Sequence, residues 1–222
     1  MRLVDASKRT DVRRLAVVTA GLSEPSSTRL LADLLAEASA KALVATGSTD
    51  GNVEVELEVI ELRPLAHALT DHLLTGFATG DLARAIDAVT SADAVIAVTP
   101  VFSASYSGLF KTFFDVLEQD ALAGTPVLVG ATAGTARHSL VLEHALRPLF
   151  SYLHAVVVPT AVFAASEDWG TGGADGALRR RVERAAGELA ALVSARPRRE
   201  HLDQFDRDVA TMGAFEDLLG GS

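Results

Sequence analysis

Short runs of aliphatic and β-branched residues alternate along this chain with longer amphipathic stretches, and that alternation limits the fold more than any other feature. A run apolar on both faces must be covered on both, which parallel strands achieve when helices cross over between them. The runs lie at Leu15 to Ala20, Val53 to Ile60, Ala94 to Thr99, Pro126 to Ala131 and Ala155 to Phe163. The second alternates Val with Glu, so it is expected half exposed, at an edge. Helical spacing marks Thr28 to Val44, Asp81 to Thr90, Ser107 to Glu118, Ser139 to Tyr152 and Asp175 to Ala195.

Five strands and five helices in this order predict an α/β fold: a flavodoxin-like, doubly wound, five-stranded parallel sheet of order 2-1-3-4-5, with helices on both faces. The chain has 222 residues, 49% of them hydrophobic, enough for one sizeable core. A flexible N-terminus is expected over residues 1–13, the domain over 14–196 and a tail over 197–222. In the tail Leu202, Phe205, Val209, Met212, Phe215 and Leu218 advance by three or four, the spacing of an amphipathic helix that docks on the body or on a second subunit.

The formal charge of −9 opposes a nucleic-acid partner, since such affinity comes largely from clustered Lys and Arg. Without cysteine there is no disulfide, thiolate metal site or Cys nucleophile, so redox chemistry would need a cofactor. The N-terminus lacks a signal-like apolar segment, and no apolar run approaches the roughly 20 residues that span a bilayer, so a cytoplasmic protein is expected.

In a sheet of this order, ligand loops gather at the carboxyl ends of the strands beside the switch point, which here means the loops after strands one, three and four. The first, Gly21 to Thr28, brings Ser23, Ser26, Ser27 and Thr28 to a helix N-terminus. Its N–H groups and positive dipole end suit an anion, a monophosphate rather than a triphosphate, because no Walker loop or three-glycine fingerprint is present. One of these hydroxyls suffices as a helix cap, and four within six positions exceed that need. In the second loop Pro100, Val101, Phe102, Ser103, Ala104 and Ser105 offer small residues and an aromatic against which a flat ring can lie, or simply shape a turn. The third, with Thr132, Ala133, Gly134 and Thr135, allows close backbone approach at the glycine, or caps the next helix.

Together, GLSEPSSTRLL, TPVFSASYSGLFKTFFD and ATAGTARHSL resemble the NAD(P)H-dependent FMN reductase family over roughly Leu15 to Phe163. The first loop is most similar to the subgroup that serves luciferase-like monooxygenases. The resemblance implies that Ser23, Ser26, Ser27 and Thr28 hold the FMN phosphate, Pro100 to Ser105 line the isoalloxazine and ribityl chain, and Thr132 to Thr135 meet the ring's other edge. It also implies NAD(P)H as hydride donor, a monooxygenase as possible recipient of reduced flavin, and a homo-oligomer, dimer or tetramer. Where many relatives carry Arg, this chain has Glu24, so FMN as resident cofactor and FMN as passing substrate both stay open. A flavodoxin-type electron carrier and a quinone or azo-dye reductase are the rival readings.

No catalytic side chain is expected, because the cofactor carries the chemistry. The six histidines (His67, His72, His138, His144, His154, His201) lack the pairing of a metal centre, so no metal is expected. No Gly-x-Ser-x-Gly elbow points to a hydrolase.

Overall fold

A computed structural model of the chain describes residues 11–47, 53–169 and 175–198. The expected amphipathic tail lies outside them. Strands β1 (Asp11–Thr19), β2 (Val53–Glu61), β3 (Ala94–Phe102) and β5 (Pro126–Ala133) form a parallel sheet in the order β2-β1-β3-β5. Two shorter strands, β6 (Val156–Val157) and β7 (Val162–Ala165), both pair parallel with β5, while β4 (Ser105–Tyr106) folds back antiparallel on the end of β3.

The α/β flavodoxin-like parallel sheet is therefore present, with seven strands in place of the expected five. The difference lies in two places. The run Ala155 to Phe163 does not form one strand: Val158 to Ala161 interrupts it, and Pro159 has no N–H to give to a ladder. The extra strand β4 comes from the second loop, which turns on itself. The Val/Glu-alternating strand β2 stands at the sheet's edge as expected, with Leu57 and Val59 partly open to solvent.

Side-chain alternation divides the core between two faces. Leu15 and Val17 of β1 and Ala94, Ile96 and Val98 of β3 pack with α1 (Ser27–Gly47) and α6 (Asp175–Ser194). Ala16 and Val18, with Val95 and Ala97, face the other side. That side is covered by α2 (Ala66–Thr75), α3 (Gly80–Ser91), α4 (Gly108–Asp115) and α5 (Arg147–Tyr152). Helix α2 was not among the five expected. Its histidines and threonines blur the apolar stripe, and Leu69 alone of its residues is fully buried.

Between α4 and α5 the rings of Phe110, Phe114 and Phe150 are buried, with centroids 4.8 Å apart for Phe110 and Phe114 and 4.9 Å for Phe114 and Phe150. On the opposite face α1 lies so close to β5 that a Cβ on Gly130 would come within 3.2 Å of Leu35 Cδ1 and 3.3 Å of Val98 Cγ2. The expected helix Ser139 to Tyr152 divides into a π-turn segment, Leu142–Leu146, and α5. Pro148 near the start of α5 cannot donate a backbone hydrogen bond to the preceding turn. Among the described residues no helix is long and apolar enough to cross a membrane.

Candidate functional site at the carboxyl ends of the strands

The strand order places the ends of β1, β3 and β5 side by side, so the loops after them meet at one rim of the sheet. Each loop begins where a buried apolar strand gives way to hydroxyl residues: Thr19, Thr99 and Thr132 are all at most 3% exposed.

In the first loop the hydroxyls divide into two pairs. Ser26 caps α1, its Oγ accepting from the N–H of Arg29 at 3.2 Å and its carbonyl accepting from Leu30 at 3.0 Å. Thr28 is buried, and its Oγ1 lies 2.8 Å from Oγ1 of Thr132, so a hydrogen bond joins the first loop to the third. Ser23 and Ser27 are exposed at the mouth of the α1 N-terminus. The chain turns tightly here because residue 21 is glycine: a Cβ would overlap Ser26 Oγ at 2.0 Å.

The second loop is a two-residue hairpin. Val101 pairs with Tyr106 and Phe102 with Ser105, leaving Ser103 (φ 50°) and Ala104 (φ 67°) at the turn. Both central residues are left-handed, the arrangement that favours glycine or asparagine in such turns, and this chain places neither there. The strain is held by anchoring below. Thr99 Oγ1 donates to the Pro100 carbonyl at 2.9 Å and accepts from the Ser107 N–H at 3.0 Å. Ser107 in turn caps α4, accepting from Phe110 N–H at 3.1 Å. The outcome is a firm turn that presents exposed Phe102, Ser103 and Ala104 at the rim, with Pro100 buried and Val101 and Ser105 half-buried.

In the third loop Thr132 is committed to Thr28, Ala133 is half-buried, and Gly134 and Thr135 are exposed. A Cβ on Gly134 would meet nothing within 4 Å, so this glycine leaves backbone open at the rim rather than filling a packed position. A single turn of 3-10 helix, Ala136–His138, follows, with no side-chain cap from Thr135.

The structure thus brings the three predicted loops together and gives their residues unequal parts. Ser26, Thr28 and Thr132 spend their hydroxyls on the scaffold. Ser23, Ser27, Phe102, Ser103, Ala104, Gly134 and Thr135 keep exposed surface.

A fourth segment joins them that sequence reasoning did not mark. Arg63, on the connection from β2 to α2, reaches Glu24 of the first loop, Nη1 to Oε1 2.9 Å. A cavity of about 430 Å3 lies between that connection and the first loop. The available signal was position alone, since Arg63 also follows a strand's carboxyl end. Arg29, on the first turn of α1, pairs with Asp33 at 2.8 Å and with Glu61. Its hydrogen bond to Asp33 raises its already high pKa. A larger hollow among Arg14, Glu56, Arg84 and Asp87 lies on the body of the β1–β2 edge, away from this rim.

The sequence profile of the family described as NADPH-dependent FMN reductase matches residues 13–170. The FMN reductase (NADPH) of Pseudomonas aeruginosa is 37% identical over 156 residues, which cover 70% of this chain and 78% of that protein. The NADH-dependent FMN reductase SfnF of Pseudomonas fluorescens is 37% identical over 157 residues, covering 70% and 78%. Among solved structures, an oxidoreductase from Corynebacterium diphtheriae superposes with a TM-score of 0.79 at 48% identity, covering 85% of this chain and 100% of that one. An apo NADH:FMN oxidoreductase follows with a TM-score of 0.68 at 26% identity, covering 86% and 96%.

Proposed function

The chain belongs to the NADPH-dependent FMN reductase family, and we propose that it binds FMN across the three loops at the rim and reduces it with NAD(P)H. The observation that carries this reading is the convergence of a hydroxyl-bearing helix N-terminus, a rigid hairpin and an open glycine loop at adjacent strand ends, two of them tied together by Thr28 and Thr132.

The residues present fit the cofactor. Ser23 and Ser27, with the backbone N–H groups of Ser27 and Thr28 at the start of α1, would hold its phosphate through hydrogen bonds and the helix dipole. The hairpin from Pro100 to Ser105 would lie along the ring and ribityl chain, and Ala133, Gly134 and Thr135 would take the ring's other edge through backbone groups. Ser26, Thr28 and Thr132 serve the same site by fixing where these groups stand. FMN held there would supply the chemistry, as acceptor of the hydride that the reduced nicotinamide gives up. The chain's own contribution is position and desolvation, with no side chain required as acid or base.

Several finer points belong to the same reading. The names of the relatives include both NADPH- and NADH-dependent enzymes, so either nucleotide is a candidate donor. Reduced flavin passes to a partner monooxygenase, which the similarity of the first loop to that subgroup supports. The active form is a homo-oligomer in the cytoplasm, a setting that a cysteine-free chain fits.

The test follows absorbance of the nicotinamide band with purified protein, NADH or NADPH, and FMN in excess. Flavin-dependent oxidation of either nucleotide is expected, and its absence with both would end the proposal.

A further inference from the structure

The first loop has a second side. The flavin loops follow β1, β3 and β5, whereas β2 lies on the opposite flank of β1, and the cavity of about 430 Å3 opens toward it. Thr19, Ser23 and Ser26 line the cavity from the end of β1 and the first loop and Arg63 from the other side, and Arg29 borders it together with its partner Glu61.

Three observations bear on what this cavity takes. Its cations are two arginines from different segments: Arg63, 50% exposed and paired with Glu24, and Arg29, 36% exposed and already paired with Asp33 and with Glu61, so Arg63 is the one more open to a ligand. Arginine is the side chain whose fork matches phosphoryl oxygens, and it stays charged at any relevant pH. Next, the carboxylate that occupies Arg63 belongs to Glu24, 87% exposed, which can turn into solvent when a stronger anion arrives. Finally, Thr19 is 2% exposed and its hydroxyl has no hydrogen-bond partner among the described residues. A buried hydroxyl of that kind is rare because leaving it unpaired is unfavourable, and here it stands in a cavity wall beside two cations.

We infer that this cavity receives a phosphoryl group additional to the one FMN carries, with Arg63 as its cationic contact and Glu24 as the internal anion it displaces. The inference rests on the FMN reading above. Two nucleotides present the required chemistry: FAD, whose adenylate continues from the flavin phosphate, and NADPH, which carries a 2′-phosphate that NADH lacks. The hydroxyls of the first loop supply hydrogen bonds without charge, and Arg63 supplies the charge from across the cavity.

The experiment compares the wild-type protein with Arg63→Gln and Glu24→Gln. Two ratios are measured for each: the dissociation constants of FAD and FMN, and kcat/KM for NADPH and NADH with FMN as acceptor. Riboflavin binding and the thermal midpoint report on the fold. In Arg63→Gln one ratio should shift about tenfold against the ligand with the extra phosphoryl group, the factor expected for one lost charge-assisted contact. In Glu24→Gln the same ratio should move the other way. A shift confined to FAD assigns the adenylate, and one confined to NADPH assigns the 2′-phosphate. Equal weakening of FAD and FMN with riboflavin unaffected would overturn the inference, because Arg63 would then hold the phosphate common to both. Unaltered ratios in a folded variant would overturn it too. Wild-type protein that oxidises neither nucleotide with FMN sinks the reductase reading itself, an outcome separate from the others.

Discussion

Thr28 and Thr132 stand 104 residues apart and share a buried 2.8 Å hydrogen bond between their hydroxyls, so the start of α1 is fastened to the end of β5. Replacing either threonine by valine leaves the other hydroxyl buried and unpaired, which costs about 1–3 kcal/mol. Thr132→Val should lower the urea midpoint accordingly, and Thr28→Val/Thr132→Val should recover much of that loss. A double variant as unstable as the sum of the two singles would show that the bond carries no coupling.

If Ser23 and Ser27 hold the flavin phosphate, removing both hydroxyls weakens FMN and spares riboflavin. Each lost bond is worth about 1 kcal/mol, or roughly fivefold in affinity. Fluorescence titration of Ser23→Ala/Ser27→Ala with the two flavins checks this. Equal loss for both would move the phosphate elsewhere.

The hairpin tip makes a prediction of opposite sign. Ala104 sits at φ 67°, where an L side chain is strained by about 1–2 kcal/mol. Glycine relieves that strain, and the disorder it adds to the unfolded chain offsets part of the gain, so Ala104→Gly should stabilise by about 0.5–1 kcal/mol. Differential scanning calorimetry would read it as a rise in Tm.

The meeting of the three loops was legible in the sequence. Buried strand followed by hydroxyl-rich loop is a pattern that composition alone displays, and it located all three rim loops. Which way each hydroxyl points was not legible, because within a turn it depends on φ and ψ at every residue: Ser26 turned inward to cap, Thr28 turned under to Thr132, and only Ser23 and Ser27 stayed outside. The hairpin at Ser103 and Ala104 was hidden for a related reason, since the usual Asn-Gly or Gly signal is missing there. Arg63 escaped notice because long-range ion pairs leave no local trace; its partner Glu24 is 39 residues away.

The aromatic cluster behind the hairpin should be the most sensitive part of the core. Phe114 touches both Phe110 and Phe150 and is 2% exposed. Truncation to alanine opens a cavity costing about 3–5 kcal/mol. Because Phe110 also gives its N–H to Ser107, flavin affinity in Phe114→Ala should fall along with stability.

Acid should loosen the segment joining the π-turn to α5. Glu143 is held below the usual glutamate range, first by its hydrogen bond to Arg147, which also donates to the Val158 and Pro159 carbonyls. A carboxylate with a depressed pKa contributes stability above its unfolded value, and that contribution disappears as pH falls through the folded one. The pair is half exposed, so the effect stays within about 1 kcal/mol. Hydrogen exchange across α5 should therefore quicken below about pH 4.5, the ordinary glutamate value, and Glu143→Gln should abolish that acid dependence.

Among the described residues, the outer strand β2 carries Glu54, Glu56 and Glu58 along an open border of the sheet, with Arg14 answering only Glu56. An unpaired border of this kind is a template on which another copy could add its own strand and begin a fibre. Two such borders approaching each other would crowd carboxylates of the same sign, so polymerisation by strand addition is resisted near neutrality. Salt that screens those charges weakens the resistance, and the same border then becomes the route by which concentrated protein would come out of solution.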